Sequence, residues 1–126
     1  MNPVILIGLG GFAGAVARFI VSGLVQGSNP GFPVGTLFVN LSGSFALGLL
    51  MTLNEHGLGV DASTRLLVTV GFLGAYTTMS TFSYESVSLL VGGELRSFAM
   101  NVVATNTLCL TGVMVGRWAA VAIAGG

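Results

Sequence analysis

TRLLVTVGFLGAYTTMSTFSYESVSLLV, residues 64–91, is uncharged between Arg65 and Glu85 and crowded with hydroxyl groups at its middle. A bilayer crossing needs roughly 20 apolar residues, so this stretch is longer than one crossing requires. Within it GAYTTMSTF, residues 74–82, holds a glycine, a tyrosine and four hydroxyl residues in nine positions. A continuous helix can absorb such hydroxyls by bonding them back to carbonyls four residues earlier. A broken helix frees backbone carbonyls, which are tolerated at membrane depth only where they are buried in protein, line water or hold a cation. The surplus length favours the break, because two half-helices and an irregular turn consume more residues than one span.

Outward from this segment the whole chain reads as membrane protein. It has 126 residues, 53% of them hydrophobic and 6% charged, with mean hydropathy +0.94, far from the composition of a soluble domain. Three more spans appear at about 4–25, 34–53 and 97–124, which makes an all-α, four-helix transmembrane domain over residues 1–126. QGSNPGFP, NEHGLGVDAS and GGEL separate the spans, and Asp61 or Ser63 is placed to cap the third. The N-terminal MNPVILIGLGG lacks a basic n-region, so it reads as a retained helix. Nucleic-acid binding is excluded: the four basic residues, Arg18, Arg65, Arg96 and Arg117, are scattered and there is no lysine. Cys109 is the single cysteine and can form no internal disulfide.

With four spans, Arg65 and Arg117 fall on one side of the membrane and Arg18 and Arg96 on the other. Two against two gives the orientation rule no instruction, and insertion both ways would permit an antiparallel dimer. Gly8, Gly10, Gly11 and Gly14 lie in an apolar helix with no preceding strand. They read as close-packing positions, not as a dinucleotide loop.

Asn40 sits mid-span, where an unsatisfied amide costs several kcal/mol, so it must face protein or water. Thr36 and Ser44, four residues to either side, share its helical face, with Gly43 alongside. Asn101, Thr105 and Cys109 form a second stripe, from which Asn106 and Thr107 point away. One stripe can be an interhelical hydrogen-bond seam; two favour a lined path for a solute.

GGFAGAVARF, GTLFVNLSGSFALG and GFLGAYTTMSTFSYE together resemble the Fluc/CrcB fluoride channels, and the match covers most of the chain. The resemblance implies an antiparallel, dual-topology homodimer in the bacterial cytoplasmic (inner) membrane, with membrane lipid around it and two pores that carry fluoride passively out of the cytoplasm. It also implies one structural sodium ion on the two-fold axis, held by the backbone carbonyls of Gly74 and Thr77 from both subunits.

Fluoride is very strongly hydrated, so a path must replace water without gripping the ion, which neutral donors do. Along the family's path Asn40 offers an amide, Thr36, Ser80, Thr81 and Thr105 offer hydroxyls, and Phe82 offers the positive edge of a ring. A second family phenylalanine is replaced by Met79, whose thioether has no ring quadrupole; reduced throughput follows. Asn101 and Thr105 stand where the family has a tyrosine and a serine. Arg18 matches a family arginine and either snorkels or concentrates anions in a vestibule; the vestibule is favoured, because an arginine deep in a pore would trap the ion. Glu85 matches a family glutamate and is expected to bond near its helix or to Arg18.

Two other functions fit the length. A small proton-coupled multidrug exporter needs an acidic residue in the first span, and the only charge there is Arg18. A non-transporting assembly subunit would use the polar stripes as interhelical glue. No nucleophile, base and orienting group can be assembled, so an enzyme is not expected.

Overall fold

The structure is a computed structural model, described here for residues 1–125. Helix α1, Pro3–Gln26, starts where Asn2 Oδ1 accepts the Val4 N–H at 2.8 Å and Pro3 occupies the first turn. Gly27, at φ 57°, stops it. The Gln26 side chain then ties the following loop: Nε2 donates to the Asn29 and Phe32 carbonyls at 2.8 and 3.1 Å, and Oε1 accepts the Gly35 N–H at 3.0 Å. Helix α2 is Val34–Glu55. Asp61, not Ser63, stands at the start of the third helix, and its carboxylate takes the Thr64 hydroxyl at 2.6 Å. That bond holds the carboxyl of Asp61 below its ordinary range.

The third span is interrupted, as its surplus length predicts. Its first half, α3 (62–76), opens with an α turn at Ala62–Arg65, widens into a π-helical stretch over Leu66–Leu73 and closes with Gly74–Tyr76. Thr77 (φ −87°, ψ 155°) and Thr78 (φ −149°, ψ 117°) are extended. Helix α4, Met79–Val91, resumes with the Thr78 hydroxyl accepting the Thr81 N–H at 3.2 Å. The turn at Gly92 and Gly93 leads into α5, Leu95–Ile123. Four segments are therefore long and apolar enough to cross a membrane: Pro3–Gln26, Val34–Glu55, Ala62–Val91 and Leu95–Ile123.

The π-helical stretch was not legible in the sequence, and its cause lies in α1. A methyl group on Gly10 or Gly14 would overlap the carbonyl oxygens of Leu67 and Phe72 respectively, so the two backbones pack in direct contact. This is the role expected of the α1 glycines, carried by Gly10 and Gly14; Gly8 meets nothing within 4 Å. On the other flank α2 packs along α5 through Gly48, Gly112 and Gly116. The buried apolar core is small: Val39, Leu73 and Tyr76, with Ala17, Val21, Ala46, Leu50 and Phe72 around them. Most large apolar side chains, Phe12, Phe19, Leu24 and Leu110 among them, face outward as a lipid or a second subunit requires.

Candidate functional site

The site is built around the helix break. Asn40, buried on α2, bridges it with both ends of its amide: Oδ1 accepts the Thr78 N–H at 2.7 Å and Nδ2 donates to the Thr78 carbonyl at 3.1 Å. The amide found 38 residues away thus substitutes for the helical partners that Thr78 has lost. One N–H of Asn40 remains beyond this pairing. Gly43, one turn along α2, makes room, since a methyl there would overlap Thr77 Cγ2. Tyr76 is fixed by stacking on Phe72, with ring centroids 5.8 Å apart, and by a 3.0 Å bond between its hydroxyl and Ser42 Oγ.

Two clefts flank Thr78, which lines both. The larger, about 380 Å³, is bounded by Asn40, Thr77, Met79, Phe82, Thr105 and Asn106, with Ser44, Gly74 and Cys109 also on its wall. The smaller, about 180 Å³, gathers Arg18, Ser22, Thr36, Thr78 and Thr81. The predicted residues are therefore brought together in two groups, with Arg18, Thr36 and Thr81 in one and Asn40, Met79, Phe82 and Thr105 in the other. No carboxylate lines either cleft, and Arg18 is the single charge.

Two predicted residues, Ser80 and Asn101, line neither cleft, and Met79 sits at the edge of one. Ser80 is exposed and lines neither cleft. Met79 does line the larger one, yet is 70% exposed on the open side of the chain. Asn101 is buried in a relay: Thr105 Oγ1 donates to Asn101 Oδ1 at 3.1 Å, Asn101 Nδ2 to Ser86 Oγ at 2.9 Å, and Ser86 Oγ to the Phe82 carbonyl at 2.7 Å. This relay fastens α5 to α4 directly behind Phe82.

Glu85 corrects an expectation. It lies with Gln26, Ser88 and Glu94 around a separate cavity, and its Oε1 is buried without a hydrogen-bond partner. Among the described residues the one ion pair joins Arg117 Nη1 to Glu55 Oε2 at 3.6 Å, so Arg18 is left free of carboxylates. Asn106, read from spacing as pointing away from the Asn101–Thr105 stripe, lines the larger cleft. Thr78 and Ser86 were also missed. A threonine three residues before Thr81 is a helix N-cap signal, while Ser86 is recognisable only once Asn101 is placed beside it.

The backbone at the break bears on cation binding. In an uninterrupted helix the Thr78 and Thr81 N–H groups would reach the Gly74 and Thr77 carbonyls. Here the first goes to Asn40 and the second to the Thr78 hydroxyl, which releases both carbonyl oxygens. Released carbonyls are hard neutral ligands of the kind a monovalent alkali cation takes, and among the described residues no cluster of His, Cys, Asp or Glu offers another kind of metal site. The donor set fits a sodium ion.

Residues 5–117 match the family model described as CrcB-like protein, Camphor Resistance (CrcB). The chain is 49% identical to "Fluoride-specific ion channel FluC 1" of Methanosarcina acetivorans, over 98% of this chain and 95% of that protein. It is 44% identical to "Fluoride-specific ion channel FluC 3" of Methanosarcina barkeri and 43% identical to the FluC of Ruminiclostridium cellulolyticum. Both of these matches cover 98% of this chain, and 93% and 96% of the respective relatives. With four membrane-length helices, an interrupted third span and this similarity along almost its full length, the chain is an integral membrane protein belonging to the CrcB family.

Proposed function

We propose that the protein is a fluoride channel, not an enzyme, and that it lets fluoride run passively out of the cytoplasm of a prokaryote. The carrying observation is the lining of the two clefts at the break: hydroxyls, amides and one ring, a single arginine and no carboxylate. Arg18 in the smaller cleft draws anions toward the path. Thr36, Thr81 and Thr105 supply hydroxyl donors, Asn40 supplies its remaining N–H, and the buried Phe82 supplies a ring edge. Such groups replace hydration in many small steps, so beyond Arg18 no charged side chain grips the ion along the path. Met79 contributes volume but no quadrupole, and it sets throughput below that of a channel with phenylalanine there.

The working unit in this reading is an antiparallel homodimer with two pores. Each side of the membrane receives two arginines and two acids, Arg65, Arg117, Glu55 and Asp61 against Arg18, Arg96, Glu85 and Glu94, which leaves insertion undirected. Gly74 and Asn106 are exposed at membrane depth in one chain, and a methyl on Gly74 would meet nothing closer than the Thr69 carbonyl oxygen at 3.9 Å. Nothing inside the chain demands glycine at 74; a second copy against that face does. The Gly74 and Thr77 carbonyls of both copies would hold a central sodium ion, which supplies a fixed positive charge between the pores.

The test is fluoride efflux from liposomes containing purified protein, with chloride and a hydrophobic cation as comparisons. Fluoride flux that needs no proton gradient is expected. Cation flux coupled to protons would establish the exporter reading instead, and no flux of any solute would leave an assembly subunit.

A further inference from the structure

We infer that Asn40 Oδ1 and Thr78 Oγ1 are the positioning groups of the cation site: each captures the N–H that an unbroken helix would have sent to one of its two carbonyl ligands. The inference rests on the sodium reading above and goes beyond it by naming what keeps those ligands available. The Thr78 N–H reaches Asn40 Oδ1 at 2.7 Å and leaves Gly74 O; the Thr81 N–H reaches Thr78 Oγ1 at 3.2 Å and leaves Thr77 O. Both acceptors belong to buried residues. The hydroxyl proton of Thr78 is already given to Thr81 Oγ1 at 3.0 Å, so the Thr78 oxygen presents lone pairs to the N–H.

Without these acceptors the two N–H groups have one nearby alternative at membrane depth, the carbonyls themselves, because an unpaired buried donor is strongly disfavoured. The break and the cation are therefore linked, and each stabilises the other by the same factor. Asn40 and Thr78 act on sodium through backbone they hold, without touching it.

The test measures sodium affinity from the thermal stability of purified protein as sodium chloride is titrated against N-methyl-D-glucamine chloride at constant ionic strength. Thr78→Val, which keeps the shape and removes the acceptor, is expected to weaken sodium affinity at least about tenfold, within the usual range of site-to-site coupling. Thr78→Ser, which keeps the acceptor, should retain it. Thr78→Ala removes the same oxygen with less bulk and serves if the valine variant does not fold. Thr78→Val combined with Thr81→Pro leaves no N–H to reclaim the Thr77 carbonyl, and should recover the affinity. Folded Thr78→Val or Thr78→Ala protein that binds sodium like wild type overturns the inference and leaves the sodium site standing. A double variant as weak as the single one assigns the loss to general damage, which also overturns it. Wild-type protein indifferent to sodium removes the site and the inference together.

Discussion

Asn40 and Thr78 are joined by two opposed hydrogen bonds, 2.7 Å into the amide oxygen and 3.1 Å out of the amide nitrogen, and between them they hold the third span open at its midpoint. Truncating Asn40 to alanine leaves a backbone donor and acceptor unpaired, at about 1–3 kcal/mol each. Fluoride efflux from Asn40→Ala liposomes should fall on the order of 100-fold, the equivalent of about 2.7 kcal/mol at 1.36 kcal/mol per decade. Wild-type rates in folded, reconstituted Asn40→Ala protein would remove this pairing from the conduction path.

Met79 lines the larger cleft from its open side, where a bigger side chain meets no packed neighbour within the chain. Met79→Phe restores a ring edge, worth about 0.5–1.5 kcal/mol by analogy with aromatic contacts, and should raise fluoride efflux about two- to tenfold. Chloride exclusion should be unchanged. Efflux measured with a fluoride electrode decides it, and an unchanged rate would show that position 79 does not limit throughput.

Gly14 and Gly8 sit on the same helix and should respond in opposite directions. Gly14→Ala drives a methyl into the Phe72 carbonyl and should cost about 1–3 kcal/mol, as overpacking does. Gly8→Ala meets open space and gains up to about 1 kcal/mol of helix propensity. Thermal unfolding of the two variants in detergent checks the contrast, with equal shifts counting against the close contact of α1 with α3.

Asp61 provides a pH dependence of known sign. Its folded pKa lies below the ordinary value of 3.8, chiefly because it accepts the Thr64 hydroxyl bond. The stabilisation it contributes is complete above 3.8 and is lost as pH falls through the depressed folded value. Thr64→Val should flatten that acid-side loss while leaving fluoride flux at neutral pH untouched. Thermal midpoints of wild type and variant, compared across the acid range, measure it.

The four spans were legible because apolar length alone defines them; the helices begin and end within two residues of the expected limits. The existence of a break was legible from the surplus of residues in 64–91. Its region, the hydroxyl-rich stretch from Thr77 to Ser83, was legible too; its exact seat at Thr77–Thr78 was not, because the partner that pairs with Thr78 there is Asn40, far away in sequence. The π-helical turns were hidden for a similar reason, being the accommodation of α3 to glycines on α1. Among the site residues, Thr36 and Asn40 were recognisable by period as sharing a helical face, yet they line different clefts, with Thr78 on the wall of both. The use of Asn101 as a fastener behind Phe82, by contrast, depends on Ser86 arriving beside it from another helix.

The Asn101–Ser86 relay also divides the chain mechanically. It makes α4 and α5 one lever, while the backbone contact of Gly10 and Gly14 with Leu67 and Phe72 makes α1 and α3 another. Along the third span they are connected by two extended residues, Thr77 and Thr78, while α2, packed against both α1 and α5, spans the two. A swing of one lever against the other therefore has to bend the chain at Thr77–Thr78 and work against the paired amide that Asn40 of α2 supplies there.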